Sequence, residues 1–133
     1  MIDSNLKRFF YTINIMRTIK FRGLRVDGKG WVYGSLNTNN MNVFEILQSD
    51  GGDWDVKPET VGQFTGLQDK NGVDIYEGDN IRVCDNKNGL LTVVFVNEYV
   101  GGWVLIHEST KNKLSLGARK SNTIEVIGNI HQS

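Results

Sequence analysis

Residues 61–79 read VGQFTGLQDKNGVDIYEGD, and this stretch decides the fold of the chain. Its first six residues (VGQFTG) are a short segment punctuated by Gly62 and Gly66. Residues 69–72 (DKNG) predict a turn, because Asn-Gly tolerates the positive φ values of a type I′ turn. Residues 77–79 (EGD) predict a second tight turn, which leads into an alternating strand from Ile81 to Val83. The stretch therefore predicts short strands joined by tight turns.

The same pattern extends outward in both directions. Residues 19–22 (IKFR) and 31–33 (WVY) flank a DGKG turn and predict a hairpin that stops at Gly34. Residues 37–40 predict a loop, residues 43–47 a strand, and residues 51–58 a polar connection. Residues 90–96, 103–106 and 124–130 predict further strands, the last with a bulge at Gly128.

The predicted fold is mainly β, a small partly open barrel of short antiparallel strands. Residues 78–83, a polar loop and the apolar run 90–96 are typical of the start of an SH3-like barrel, so the C-terminal half is predicted to be SH3-like. Residues 1–15 differ, because Phe9, Phe10, Ile13 and the following Met16 fit one helical stripe. We therefore predict a helical extension over 1–15 and a single β domain over 16–133.

Composition fits one globular domain of 133 residues with 15 glycines and one proline. Cys84 is the only cysteine, so the fold needs no oxidising compartment. No apolar run approaches the roughly 18 residues of a membrane span, and residues 1–15 do not resemble a signal peptide. The expected location is the cytoplasm of a bacterial host, with no membrane contact.

Charge is unevenly distributed although the net charge is zero. Residues 1–25 hold six basic residues against one acid (+5), residues 26–79 hold three against ten (−7), and residues 80–133 hold six against four (+2). Two interpretations are open. The basic segment could face nucleic acid, or the opposite charges could attract each other within the fold or between subunits.

A nucleic-acid-binding strand is the best-supported specific site. Lys20 and Arg22 share one face of the first strand, and Trp31 and Tyr33 share one face of the next. Basic residues beside aromatic rings bind single strands by charge and stacking. The alternative is that Trp31 and Tyr33 belong to the core and that the basic side chains are solvated. The candidate nucleic-acid-binding residues are Arg17, Lys20, Arg22 and Arg25.

Acidic residues crowd into positions 69–79, but their spacing does not match a calcium loop. Such a loop needs glycine at its sixth position, whereas Gly72 is fourth and Lys70 lies inside the would-be site. The alternative is a pair of turns in which Asp69 and Asp79 accept hydrogen bonds from nearby backbone N–H groups. The second interpretation is favoured, and no metal site is predicted.

Other chemistry has little support in the sequence. His107 and His131 are the only histidines and lack zinc-ligand spacing, and His107 is expected at a strand end. Cys84 with His107 as its base would be a nucleophilic dyad, but a single strand cysteine is usually an inert apolar group. The chain lacks a phosphate-binding loop and a nucleophile elbow. We therefore predict no catalytic residues and no cofactor.

Six segments together resemble one family. In order they are residues 19–23 (IKFRG), 31–34 (WVYG), 56–67 (VKPETVGQFTGL), 69–72 (DKNG), 75–79 (IYEGD) and 124–130 (IEVIGNI). Their order and spacing are similar to those of the YopX family of phage and prophage proteins. The resemblance implies a mostly β fold, an origin in a bacteriophage or prophage, and no established activity. Residues 1–15 lie outside the family pattern.

The expected function is that of a non-enzymatic accessory protein that acts through protein–protein contact. Its expected partners are a second copy of the chain, as a homo-oligomer, and a host or phage protein. The first alternative is a nucleic-acid-binding module that uses the basic strand and the SH3-like half. The second is a hydrolase that uses Cys84 or the acids around Asp79.

Overall fold

A computed structural model describes residues 18–40, 43–83, 91–96, 102–117 and 121–131. Within these ranges the chain forms eleven strands and two short 3₁₀ turns, so the prediction of a mainly β, antiparallel fold is confirmed. The predicted helical extension over 1–15 lies outside the described residues. No helix in the described ranges is long and apolar enough to cross a membrane.

The first sheet contains six antiparallel strands in the order β4-β3-β2-β1-β5-β6. A 3₁₀ turn, Pro58–Thr60, lies between β4 and β5. The strands are β1 Phe21–Leu24, β2 Trp31–Asn40, β3 Val43–Leu47, β4 Asp53–Val56, β5 Gly62–Gln68 and β6 Asp74–Tyr76.

The second sheet contains five antiparallel strands in the order β10-β9-β8-β7-β11. Four consecutive strands form a meander, and the fifth returns beside the first after a 3₁₀ turn at Ser121–Thr123. This is the strand order of SH3-like folds, as predicted for the C-terminal half. The strands are β7 Asp79–Val83, β8 Leu91–Val96, β9 Gly102–His107, β10 Lys113–Ser115 and β11 Ile124–Asn129.

The first hairpin forms as predicted, with Arg22 opposite Tyr33 and Leu24 opposite Trp31. Its turn depends on Asp27, whose Oδ1 accepts a hydrogen bond from the Lys29 N–H at 3.0 Å. The predicted bulge in β11 is also present, because the register with β7 shifts between Val126 and Gly128.

The predicted stop at Gly34 and the predicted loop over 37–40 are wrong, because β2 continues to Asn40. Gly34 permits a close approach instead of ending the strand. A Cβ at this position would lie 2.0 Å from the Leu47 carbonyl oxygen on β3. A glycine in a strand interior can mark close backbone packing as well as a turn, and here it marks packing.

Residues 53–56 (DWDV) were predicted to lie in a polar connection, and this prediction is wrong, because they form strand β4, in which acids alternate with apolar residues. Trp54 and Val56 face the core and the two acids face outward. The end of β4 returns to β1 through a bridge between Arg25 and Val56 and a 2.9 Å hydrogen bond from Lys57 N–H to Leu24 O. Strands β1–β4 therefore curl around an interior, but the described strands do not form a closed barrel.

Each sheet has its own apolar core. Val32, Ile46 and Val56 are the buried centre of the first sheet. The core of the second sheet is larger and consists of Ile75, Ile81, Val83, Leu91, Val93, Leu105, Leu116 and Ile124. Ile75 belongs to β6 of the first sheet, so the 74–79 segment ties the two cores together.

Candidate binding site

A cleft of about 460 Å³ lies between the two sheets. Val73 and β6 form one wall, and β11 forms the opposite wall. Both β6 and β11 are edge strands of their sheets. The buried side chains of Arg22 and Asp79 form the floor of the cleft, and more exposed side chains, both charged and apolar or aromatic, line its walls and rim. The lining residues are Lys20, Arg22, Tyr33, Val73, Asp74, Tyr76, Asp79, Val126, Gly128 and Asn129.

Both ends of the cleft are closed by segments of the 69–79 region. At one end Asp69 Oδ2 accepts a hydrogen bond from the Val126 N–H at 2.9 Å, and the Lys70 N–H donates to Ile124 O at 3.0 Å. At the other end the Ile130 N–H donates to Gly78 O at 2.9 Å. The two predicted turns thus join the sheets at fixed points and leave the space between them open.

Asp69 organises the first turn with both carboxylate oxygens. Its Oδ1 accepts the N–H groups of Asn71 at 2.8 Å and Val73 at 3.0 Å, in addition to the bond from Val126 to Oδ2. Burial alone would raise the pKa of Asp69, but these three donors outweigh burial and lower it. The turn is not type I′, because Gly72 and not Asn71 takes the positive φ, at 78°.

The floor of the cleft is an ion pair between Arg22 on β1 and Asp79 at the start of β7. Arg22 Nη1 lies 2.7 Å from Asp79 Oδ1, and the two side chains are only 7% and 2% exposed. Arg22 Nη2 also donates to Glu77 O at 3.2 Å, and Asp79 Oδ2 accepts the Tyr76 N–H at 2.8 Å. Burial raises the pKa of Asp79 more than the neighbouring Arg22 lowers it.

Two atoms of this pair are buried without a hydrogen-bond partner among the described residues. They are Arg22 Nε and Asp79 Oδ1. Asp79 Oδ1 nevertheless lies 2.7 Å from Arg22 Nη1, so the cation compensates this oxygen within the pair. Buried polar atoms are usually hydrogen-bonded, and Arg22 Nε is one of the exceptions among the described residues.

Aromatic rings surround the Arg22 guanidinium. The guanidinium carbon lies 4.9 Å from the centre of the Trp31 ring and 5.1 Å from that of Tyr76. Tyr33 extends the group, since its ring centre is 5.5 Å from that of Tyr76. Burial, and then the nearby Asp74, raise the pKa of Tyr76, so this phenol stays neutral. The rings hold Arg22 in place and give the cleft flat walls.

A second ion pair separates this cleft from its neighbour. Lys20 Nζ lies 2.7 Å from Asp74 Oδ2 and 4.6 Å from the centre of the Phe64 ring. Burial by itself would raise the pKa of Asp74, but hydrogen bonds from Lys20 and Gln68 outweigh it and lower the pKa. Lys20 and Asp74 also line an adjacent cavity of about 630 Å³.

The predicted nucleic-acid-binding residues fall in different surroundings. Lys20 and Arg22 come together at the cleft, each paired with an acid of the 74–79 segment. Arg25 lies elsewhere, paired with Asp27 and 3.7 Å from the centre of the Trp54 ring. Arg17 lies outside the described residues. Attraction within the fold therefore accounts for these three basic residues.

The other candidate residues behave as local structure. The interpretation of Asp69 and Asp79 as turn residues that bind backbone N–H groups is confirmed. His107 is the last residue of β9, as expected, and its Nδ1 accepts the N–H groups of Ser109 and Thr110. Cys84 lies outside the described residues. No group of three or more potential metal-ligating side chains occurs in the described part of the chain.

Sequence reasoning missed the pairing of Arg22 with Asp79 and the role of Tyr76. Arg22 alternates with apolar residues, and a basic residue in that pattern is predicted to face solvent unless an acidic partner is known. The available signal was the hairpin register, which sets Arg22 beside Tyr33 on the face that Trp31 also shares. The partner Asp79 is 57 positions away, and no local pattern connects the two residues.

Comparison with known protein families gives a direct result, because residues 20–133 match the family model described as YopX protein. The chain belongs to the YopX family. A search of curated proteins found no match. The segments that carry the YopX resemblance include β1, both turns of the 61–79 region and β11. These are the elements that build and close the cleft.

Proposed function

We propose that this YopX-family chain acts by binding another protein molecule and that the cleft between the sheets is its contact site. The observation that carries the proposal is the contrast between rim and floor. Tyr33 and Val73 are each 46% exposed at the rim, above the buried Arg22–Asp79 pair. A concave site with apolar walls and a few placed polar groups is typical of binding sites, and exposed aromatic residues are typical interface anchors.

The proposed partners are a second copy of the chain and a host or phage protein. Ile130, 57% exposed, extends the apolar rim beside Gly78 at one end of the cleft. Exposed apolar residues favour association, and most protein oligomers are symmetric homo-oligomers. The proposal places the protein in the bacterial cytoplasm as a non-enzymatic accessory protein of a phage or prophage.

Light scattering across micromolar concentrations tests self-association. The wild type is expected to exceed the 15.0 kDa monomer mass increasingly with concentration. Tyr33→Ala should shift the curve toward monomer, whereas Phe95→Ala should not. Phe95 is a matched control, because it is also 46% exposed but lies on β8 away from the cleft. A monomer at every concentration would remove self-association from the proposal.

Binding to a different protein is tested by photo-crosslinking. Benzoylphenylalanine at position 33 should form an adduct with one defined protein that re-forms from purified components, and the same group at position 95 should not. An adduct at both positions, or at neither, would count against the cleft as the contact site.

Nucleic-acid binding is the weaker proposal. Phosphate binding depends on available cationic groups, and Lys20, Arg22 and Arg25 each already face an acid of the same chain. The test is titration with single-stranded DNA, double-stranded DNA and RNA at about 50 and 200 mM salt. Affinity that falls steeply with salt, and that is reduced by Lys20→Ala, would favour this alternative over protein binding.

A further inference from the structure

The adjacent cavity of about 630 Å³ shares the Lys20–Asp74 ion pair with the cleft. The polar side chains of this cavity satisfy one another, because Asp74 accepts from Lys20 Nζ at 2.7 Å and from Gln68 Nε2 at 2.9 Å. The Lys20 charge is balanced by that of Asp74, so a charged ligand would meet repulsion as well as attraction. The cavity therefore favours an apolar occupant.

The accessible apolar surface of this cavity comes from β5. Leu67 is 37% exposed and lines the cavity together with Phe64. Gly66, between them, also lines it, and a Cβ built on Gly66 would have no neighbour within 4 Å in the described part of the chain. The described residues thus leave this part of β5 uncovered. Apolar surface beside uncovered backbone gains stability when a further segment buries it.

The chain enters the described structure at the edge of this cavity. Thr18 is the first described residue, and it lines the cavity. Residues 1–17 are therefore tethered at the cavity itself. A helix rises 1.5 Å per residue, so a helical segment would place Phe9 about 14 Å from Thr18. The segment is long enough to lie across a cavity of this volume.

The sequence before Thr18 supplies apolar side chains for such a contact. The helix predicted over 1–15 carries Phe9, Phe10 and Ile13 on one stripe, and Tyr11 lies roughly 200° around the helix from Phe9. An amphipathic helix of a globular protein buries its apolar stripe against another surface. The cavity beside Thr18 is the nearest such surface along the chain.

We propose that residues 1–17 occupy this cavity in their own chain, with the stripe of Phe9, Phe10 and Ile13 against Leu67 and Phe64. A short tether holds a segment at an effective concentration in the millimolar range, which favours the segment of the same chain over that of a second copy. The contact uses a different cavity from the proposed partner site, so crosslinking from position 33 tests the proposed function separately.

The test is photo-crosslinking in the full chain, with benzoylphenylalanine at position 9 and, as the off-stripe control, at position 11. Position 9 should give an adduct to residues 64–68 within one chain, at the 15.0 kDa monomer mass, and position 11 should not. An adduct that joins two chains would assign the cavity to a second copy and overturn the inference. Adducts to other residues, equal yields at both positions, or no adduct at position 9 would also overturn it.

Variants of the cavity add a second readout. Leu67→Asp should reduce the adduct yield from position 9 by about threefold or more, because it places a charge on the apolar surface. Leu47→Asp should leave the yield unchanged, since Leu47 is similarly exposed but lies on β3, away from the cavity.

A third readout leaves the described β strands unaltered. Phe9→Asp should shift the backbone amide resonances of Leu67 and Gln68 in the NMR spectrum, whereas Tyr11→Asp should not. Unchanged amides in Phe9→Asp, or equal shifts in both variants, would overturn the inference.

Discussion

Asp69→Asn is the sharpest test of how the cleft is closed. Asp69 is only 4% exposed, and its carboxylate accepts three backbone N–H groups, two within its own turn and one from Val126 on β11. Asparagine has nearly the same shape but only one accepting oxygen. With that oxygen kept in the turn, its NH₂ group points at the Val126 N–H, so two donors face each other.

The expected loss of stability follows from these contacts. The lost bond from Val126 leaves a donor unsatisfied at about 1–3 kcal/mol. The two bonds that remain change from charge-assisted to neutral and weaken by roughly 1 kcal/mol each. Lower desolvation of the neutral amide offsets part of the loss. We expect Asp69→Asn to lower the free energy of unfolding by about 3 kcal/mol.

The assay is equilibrium urea unfolding, with Asp50→Asn as the matched control. Asp50 also accepts a backbone N–H two residues ahead, from Gly52 at 3.2 Å, but in an exposed turn. The control should change stability by less than about 0.5 kcal/mol. If Asp69→Asn falls within the same range as Asp50→Asn, the bond between the turn and β11 does not stabilise the fold.

The pH dependence has a definite sign. The folded-state pKa of Asp69 lies below its usual value of 3.8, so its contribution is complete above that value and is lost as the pH falls through the folded pKa. The variant lacks this titration. The stability gap between wild type and Asp69→Asn should therefore be constant near neutral pH and should narrow in acid below 3.8. A gap that stays constant in acid would contradict the role given to the ionised carboxylate.

Three further predictions concern the rest of the site. Arg22→Met leaves the Asp79 carboxylate buried without its cation and should lower the free energy of urea unfolding by about 3–5 kcal/mol. Adding Asp79→Asn should recover part of that loss, whereas additive losses would mean that the two residues are not coupled. Gly62→Ala places a Cβ 2.6 Å from the Glu77 carbonyl oxygen and should cost about 1–3 kcal/mol by the same assay, whereas Gly117→Ala, with open space around it, should be nearly neutral. Lys20→Met breaks a partly exposed ion pair and should lower the free energy of unfolding by less than about 1 kcal/mol; a larger loss would show that the Lys20–Asp74 pair stabilises the fold more than an exposed pair does.

Local pattern was sufficient to predict most strands and turns, because both depend on neighbours in sequence. The Asp27 and Asp69 turns, the alternation of Ile81 and Val83, and the bulge at Gly128 all express local geometry. Gly34 was misinterpreted, because glycine is favoured both in a turn and where two backbones pack closely, as Gly34 and Leu47 do. Strand β4 was missed because its outward acids gave a polar composition to a half-buried strand.

The candidate site was less predictable, because it is assembled from residues far apart in the chain. Lys20 and Arg22 were predicted as nucleic-acid-binding residues, but their surroundings in the fold depend on Asp74 and Asp79, more than 50 positions later. A basic and an acidic residue that pair within the fold look the same in the sequence as two charged residues that bind external partners. The antiparallel register of β1, β5 and β6 brings Lys20 and Asp74 close together, and the turn after β6 places Asp79 beside Arg22.

The 61–79 segment connects the two halves of the molecule, and this gives its composition a physical reason. Its first turn hydrogen-bonds to β11, its second turn accepts from Ile130, and its middle strand contributes Ile75 to the larger core. This segment must turn twice, bury one apolar residue and place acids beside Lys20 and Arg22. Few sequences satisfy all three requirements. The same constraints hold β6 and β11 apart at a fixed spacing. Residues that are diagnostic of the family can therefore be structural and still define a binding site, because the cleft is the space that their turns keep open.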